Sequence, residues 1–177
     1  MIKVDPKIKE AWYNKGVALG KLGSSEEGIK CAEKAIEIDP KYKIAWIIKG
    51  LALNELEKIE EAIECYNTAI IINKNDYNTW YNKGNALIKL RKHGDAIDCY
   101  DEAIKINPKY VKAWNNKTST LIVLENLGEA NKCIDDVLRI DPKFKNALNI
   151  KGLVLLILNK LEGANKSRNY KIFRKSN

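Results

Sequence analysis

Trp12, Trp46, Trp80 and Trp114 stand 34 residues apart, and they are all the tryptophans in the sequence. Cys31, Cys65, Cys99 and Cys133 keep the same interval. A period of this length argues against an ordinary single-core domain. It marks an array in which one small unit is copied and stacked on its neighbours. The stretch around each tryptophan is copied too: AWYNKG at 11–16, AWIIKG at 45–50, TWYNKG at 79–84 and AWNNKT at 113–118.

Residues 77–110 show what is copied. Trp80, Ala86, Leu87 and Leu90 recur at helical spacing. RKHGD at 91–95, with Gly94 and its charges, reads as a turn. Ala96, Ile97, Tyr100, Ala103, Ile104 and Ile106 then form the apolar stripe of a second helix. Asn107-Pro108 ends it, because proline cannot continue a helix and restricts the residue before it. The unit is a helical hairpin. Small residues suggest how it closes: Gly84 opposite Ala96, and likewise Gly16 with Gly28, Gly50 with Ala62 and Gly152 with Ala164. Trp80 and Tyr100 fill the wedge around that approach. Thr118 replaces the glycine in the fourth unit, where looser packing is expected.

The combined pattern, W-x2-K-G-x2-L followed by A-x3-Y and a proline, resembles the tetratricopeptide repeat (TPR). Trp80, Gly84, Leu87, Ala96, Tyr100, Ala103 and Pro108 carry it in the third unit; Trp46, Gly50, Leu53, Ala62, Tyr66 and Ala69 in the second. The first has Trp12, Gly16, Leu19, Ala35 and Pro40, with Gly28 and Ala32 undersized, and the fourth has Trp114, Leu121, Ala130, Ile134, Val137 and Pro142. Lys74 replaces the proline of the second unit. Lys15, Lys49, Lys83, Lys117 and Lys151 occupy the usual leucine slot, where a lysine can lay its stem on the core and keep its ammonium in water.

The resemblance implies an all-α fold, a right-handed α-solenoid of antiparallel helix pairs. The divisions are a remnant of a preceding repeat at 1–8, repeats at 9–42, 43–76, 77–110 and 111–144, and a degenerate fifth repeat or basic cap at 145–177. The remnant is read from IKVDPK at 2–7, which matches IEIDPK at 36–41. In the fifth unit, NALNIKGLVLLILNK reads as a first helix, with Leu148 in the tryptophan slot. EGANKSRNYKIFRKSN reads as its degenerate partner, with Arg168 and Lys171 where the third unit has Tyr100 and Ala103.

The net charge of +8 is unevenly spread. Residues 145–177 hold eight Lys and Arg against one Glu, while 1–144 hold 23 against 22 acids. The basic segment raises electrostatic docking to nucleic acid or an acidic surface as an alternative, although nucleic acid is not the expected partner. No apolar run approaches the ~18 residues of a membrane span. MIKVDPKIKE has no signal-like apolar core. A cytoplasmic setting is expected.

No catalytic constellation is visible, so no enzyme and no cofactor are expected. The cysteines occupy one slot on successive helices, spaced too widely for a disulfide or a metal site. His93 reads as a solvated turn residue, and the pairs Glu60-Glu61 and Asp135-Asp136 as solvated helix faces.

The informative residues are Asn14, Asn82 and Asn116, mediocre helix formers repeated at one slot. An asparagine offers a donor and an acceptor that match a peptide main chain. On a TPR concave surface such residues form a ladder that reads backbone. The series resembles the asparagine ladder in the TPR region of the O-linked N-acetylglucosamine transferases, with breaks at Ile48 and Ile150. Tyr13, Ile47, Tyr81, Asn85, Asn115 and Ser119 are expected on the same face. A clamp for chaperone C-termini is disfavoured: Asn85 and Asn116 fit two of its slots, but Tyr81, Asn146 and Ile150 fall where it needs basic residues. The expected function is a non-enzymatic adaptor for an extended peptide segment of a protein partner. Self-association by end-to-end stacking is a further possibility, since the run LVLLIL at 153–158 needs cover.

Overall fold

The structure, a computed structural model, describes residues 6–173. Among these residues are helices and no strand: α1 (Pro6–Lys21), α2 (Ser25–Ile38), α3 (Lys43–Glu55), α4 (Ile59–Ile72), α5 (Tyr77–Lys89), α6 (His93–Ile106), α7 (Val111–Val123), α8 (Leu127–Ile140) and α9 (Lys145–Phe173). The chain divides into two units, Met1–Pro108 and Lys109–Asn177.

In the first unit each helix packs on the next, α1 also touches α3, and α3 also touches α5. The first helices of the hairpins therefore lie side by side on one face. The turns within hairpins share one closure. The N–H groups of Ser24, Lys58 and Lys92 donate to the carbonyls of Leu19, Leu53 and Leu87 at 2.9, 2.9 and 3.0 Å. The preceding residues, Gly23, Glu57 and Arg91, take left-handed φ values of 77°, 58° and 57°. This moves the expected turn. His93 and Gly94 lie inside the first turn of α6, and the left-handed residue is Arg91, in register with Gly23.

Turns between hairpins are held twice. The side-chain oxygens of Asp39 and Asn73 accept from the N–H groups two residues on, each at 3.0 Å. Trp46 Nε1 donates to the Pro40 carbonyl and Trp80 Nε1 to that of Lys74, both at 2.9 Å. The missing proline at Lys74 leaves the turn intact for this reason. These two tryptophans are half-buried and tie α3 and α5 to the turns before them. At the start, Pro6, Lys7 and Ile8, assigned to the remnant of a preceding repeat, belong to α1, where a proline at the first helical position loses no hydrogen bond. The rest of the proposed remnant, residues 1–5, lies outside the described residues.

The core of this unit gathers Leu53, Ile59, Ala62, Cys65, Tyr66 and Ala86, with Trp46 packed against it. The glycines work differently from the expected Gly–Ala contact. A Cβ on Gly50 would stand 2.6 Å from Cε1 of Tyr66, and one on Gly84 would stand 2.6 Å from Cε1 of Tyr100. Each makes room for a tyrosine ring. In the first hairpin, where Ala32 holds the ring slot, Gly16 meets Gly28 as expected: a Cβ there would lie 3.4 Å from the Gly28 carbonyl.

In the second unit α7 packs on α8 and α8 on α9, around Leu127, Ile134, Val137, Ala147 and Val154. The Gly and Tyr of the earlier hairpins become Thr118 and Ile134, both buried, so bulk passes from the second helix to the first. The expected fifth hairpin is not formed: α9 is one helix through Phe173, and Gly152 approaches nothing. Of the basic segment 145–177, the side chains of Lys166, Arg168, Lys171, Arg174 and Lys175 lie outside the described residues.

Candidate functional site

The candidate residues lie on first helices. In the first unit Tyr13 and Asn14 are on α1, Ile47 on α3, and Tyr81, Asn82 and Asn85 on α5; all are half-buried except Asn14, which is exposed. In the second unit Asn115, Asn116 and Ser119 are on α7, with Ser119 exposed. Asn82 sits on α5 between two structured neighbours. The Tyr81 ring lies 6.1 Å from that of Tyr100, tilted by 45°. The Tyr100 hydroxyl donates to Asn85 Oδ1 at 2.9 Å, which orients the Asn85 amide. Tyr13 is engaged with the start of α3, its ring edge-on to Tyr42 at 6.2 Å.

The lysines of the leucine slot do more than reach water. Lys49 pairs with Glu33 on α2 at 2.8 Å, and in the second unit Lys151 pairs with Asp135 on α8 at 2.6 Å. Asn67 stands where the next second helix would carry that acid, and Lys83 instead sets its ammonium 5.5 Å from the Trp80 ring centre. Lys15 lies over Trp12 at 5.4 Å. At Lys49 and Lys151 the slot joins one repeat to the previous one by charge.

All four cysteines are buried. Burial pushes the Cys65 and Cys99 thiols up to about 11, so they are protonated and unreactive at neutral pH. Burial likewise raises the Tyr66 phenol. His93 corrects its expected placement: it is half-buried at the start of α6, with Nδ1 enclosed and without a hydrogen-bond partner among the described residues. No cluster of potential metal ligands occurs among the described residues, and none of their helices is long and apolar enough to cross a membrane.

One feature escaped the sequence. A cavity of about 240 Å³ opens between α1, α2 and α3, lined by Gly16, Val17, Gly20, Ile48, Leu51 and Glu55 among others. Its sequence signal was the undersized pair Gly28 and Ala32, read there only as a weak match.

The sequence matches the tetratricopeptide repeat family over 10–42 and 77–110, and the TPR repeat over 50–91. The chain belongs to the tetratricopeptide repeat family. No curated protein matches it. Among solved structures, the TPR fold is shared with MamA at a TM-score of 0.75 and 19% identity, over 93% of this chain and 91% of that one. YrrB, a TPR protein with an unusual peptide-binding site, aligns at 0.70 and 21%, over 84% and 76%. The first TPR domain of Spaghetti (RPAP3), bound to the HSP90 peptide SRMEEVD, aligns at 0.67 and 24%, over 71% and 99%. At these identities the likeness shows the fold: an all-α helical-repeat solenoid.

Proposed function

We propose that this chain is a non-enzymatic interaction scaffold that binds an extended peptide segment of a protein partner along its first helices. The observation that carries this reading is the group on α5. Asn82 and Asn85 present amides beside Tyr81, and the hydroxyl of buried Tyr100 orients the Asn85 amide. Amides of this kind pair with peptide N–H and C=O groups and ask little of the ligand's sequence. Asn14 on α1 offers the same chemistry, and Asn115, Asn116 and Ser119 offer it within the second unit. That YrrB has a peptide-binding site and the RPAP3 domain holds a peptide is in keeping with this use of the fold. The groups on α5 are uncharged, so binding there should weaken only modestly with salt.

The test is peptide binding by the full chain and by its Asn82→Ala and Asn116→Ala forms, each measured alone. Affinity unchanged in both would remove the amides from recognition.

A second reading, self-association, has its own observation. Leu148, Leu153, Leu155, Leu156 and Ile157 on α9 are exposed, although Leu155 occupies the slot in which Leu53, Leu87 and Leu121 are buried. Light scattering checks it: a concentration-dependent oligomer that Leu155→Lys abolishes supports stacking, and a monomer at high concentration argues against it.

A further inference from the structure

The asparagine series breaks at Ile48, and the break coincides with the cavity between α1, α2 and α3. The hairpins beside it explain how the cavity arises. In α3–α4 and α5–α6 a tyrosine ring from the second helix lies against the glycine of the first: Tyr66 on Gly50, Tyr100 on Gly84. The Tyr100 ring reaches the first-helix face, where its hydroxyl meets Asn85. In α1–α2 the ring slot holds Ala32, so the ring that fills the later hairpins is absent, and Gly20 stands where they carry Asn54 and Ile88. A Cβ on Gly20 would meet nothing within 4 Å. What remains is about 240 Å³ walled by Val17, Ile48, Leu51 and Ala52, with Lys21 and Glu55 as its charged lining residues. Leu51 is 41% exposed.

We propose that this cavity is a side-chain subsite of the peptide groove and that it takes one aromatic side chain of the bound segment. The proposal rests on the peptide-groove reading above. The occupant is argued from the fold itself: the chain places an aromatic ring in the corresponding wedge of its next two hairpins and leaves this one open. Ile48 fits the role. An asparagine there would set a polar group against the ring with no partner, which is costly once water is excluded. The amides on α5 read main chain, and the subsite supplies the side-chain preference that they lack. Apolar walls with few polar groups are what a specificity pocket needs.

The test uses the full chain and a displayed library of random dodecapeptides, with affinities of selected peptides measured by fluorescence anisotropy. The variant is Gly20→Leu, which fills the cavity from a position with open space and replaces a glycine in the last turn of α1 by a better helix former, so it should fold at least as stably as the parent. The expected result is that the parent selects peptides sharing an aromatic residue at one position. Gly20→Leu should then bind them about tenfold more weakly or worse, and changing that aromatic to alanine should cost the parent a similar factor but the variant little. Equal binding by the parent and Gly20→Leu, with loss in Asn82→Ala, would overturn the subsite and keep the groove. Selection of no peptide by the parent would overturn both. A change of oligomeric state in Gly20→Leu on sedimentation would assign the cavity to a second copy and overturn the proposal.

Discussion

Gly84 and Tyr100 are packed as a pair: a Cβ on Gly84 would stand 2.6 Å from Cε1 of the tyrosine, whose ring is 1% exposed. The ring is walled in and cannot retreat cheaply. Gly84→Ala is therefore expected to destabilise the first unit by about 1–3 kcal/mol, although alanine is the better helix former. The fourth hairpin supplies the compensating pair, Thr118 with Ile134. Gly84→Thr combined with Tyr100→Ile should cost clearly less than the sum of the two single changes. Urea unfolding of the parent, both singles and the double measures that coupling.

Arg91 holds a left-handed φ of 57° where the first hairpin has Gly23. That conformation strains any residue with a Cβ. Arg91→Gly is expected to stabilise the protein by about 0.5–1 kcal/mol, the relief of strain being offset in part by the glycine's freer unfolded chain. Glu57→Gly should gain less, because Glu57 also accepts from Lys89 at 2.9 Å. Thermal melts of the two variants side by side decide the order.

Asp76 caps α5, accepting from the Asn78 N–H at 3.2 Å, and pairs with Lys43 of α3 at 2.6 Å. Burial raises its pKa, but Lys43 and the hydrogen bonds more than offset that and hold the carboxyl below its usual range. Asp76→Ala should cost about 1–2 kcal/mol at pH 7. A lowered folded pKa gives stability that is present above the unfolded value, ~3.9, and is lost as pH falls through the folded one. The difference between parent and variant should thus shrink in urea melts at pH 3.

Cys65 and Cys99, pushed up to about 11 by burial, give the opposite dependence. Their protonated form is favoured by the fold, so stability is full below an ordinary thiol's value and falls as pH rises from about 9 toward 11. Each thiol is worth on the order of 2–3 kcal/mol across that window. Replacing both by alanine should flatten the alkaline limb of a pH series of urea melts. In the native protein at pH 8 these thiols should react with a disulfide reagent far more slowly than in denaturant.

The repeat and the helix pairs were legible because each follows from periodic residue types. A 34-residue interval needs no coordinates to be seen. The candidate site was legible only as a register. One slot after another along the first helices carries Asn, but a slot does not say which amide is tied to Tyr100, nor that Tyr13 turns to Tyr42. The turn was misplaced at Gly94 because local composition outweighed the alignment with Gly23.

From its sequence alone this protein is a stack of helical hairpins, since a periodic apolar stripe can be buried only by the next copy of itself. Tertiary structure decided the rest, because it depends on volumes meeting across helices. Gly50 and Gly84 serve tyrosine rings rather than a backbone contact, α9 continues as one helix to Phe173, and the undersized Ala32, Gly20 and Gly28 leave an open cavity where the next hairpins are filled.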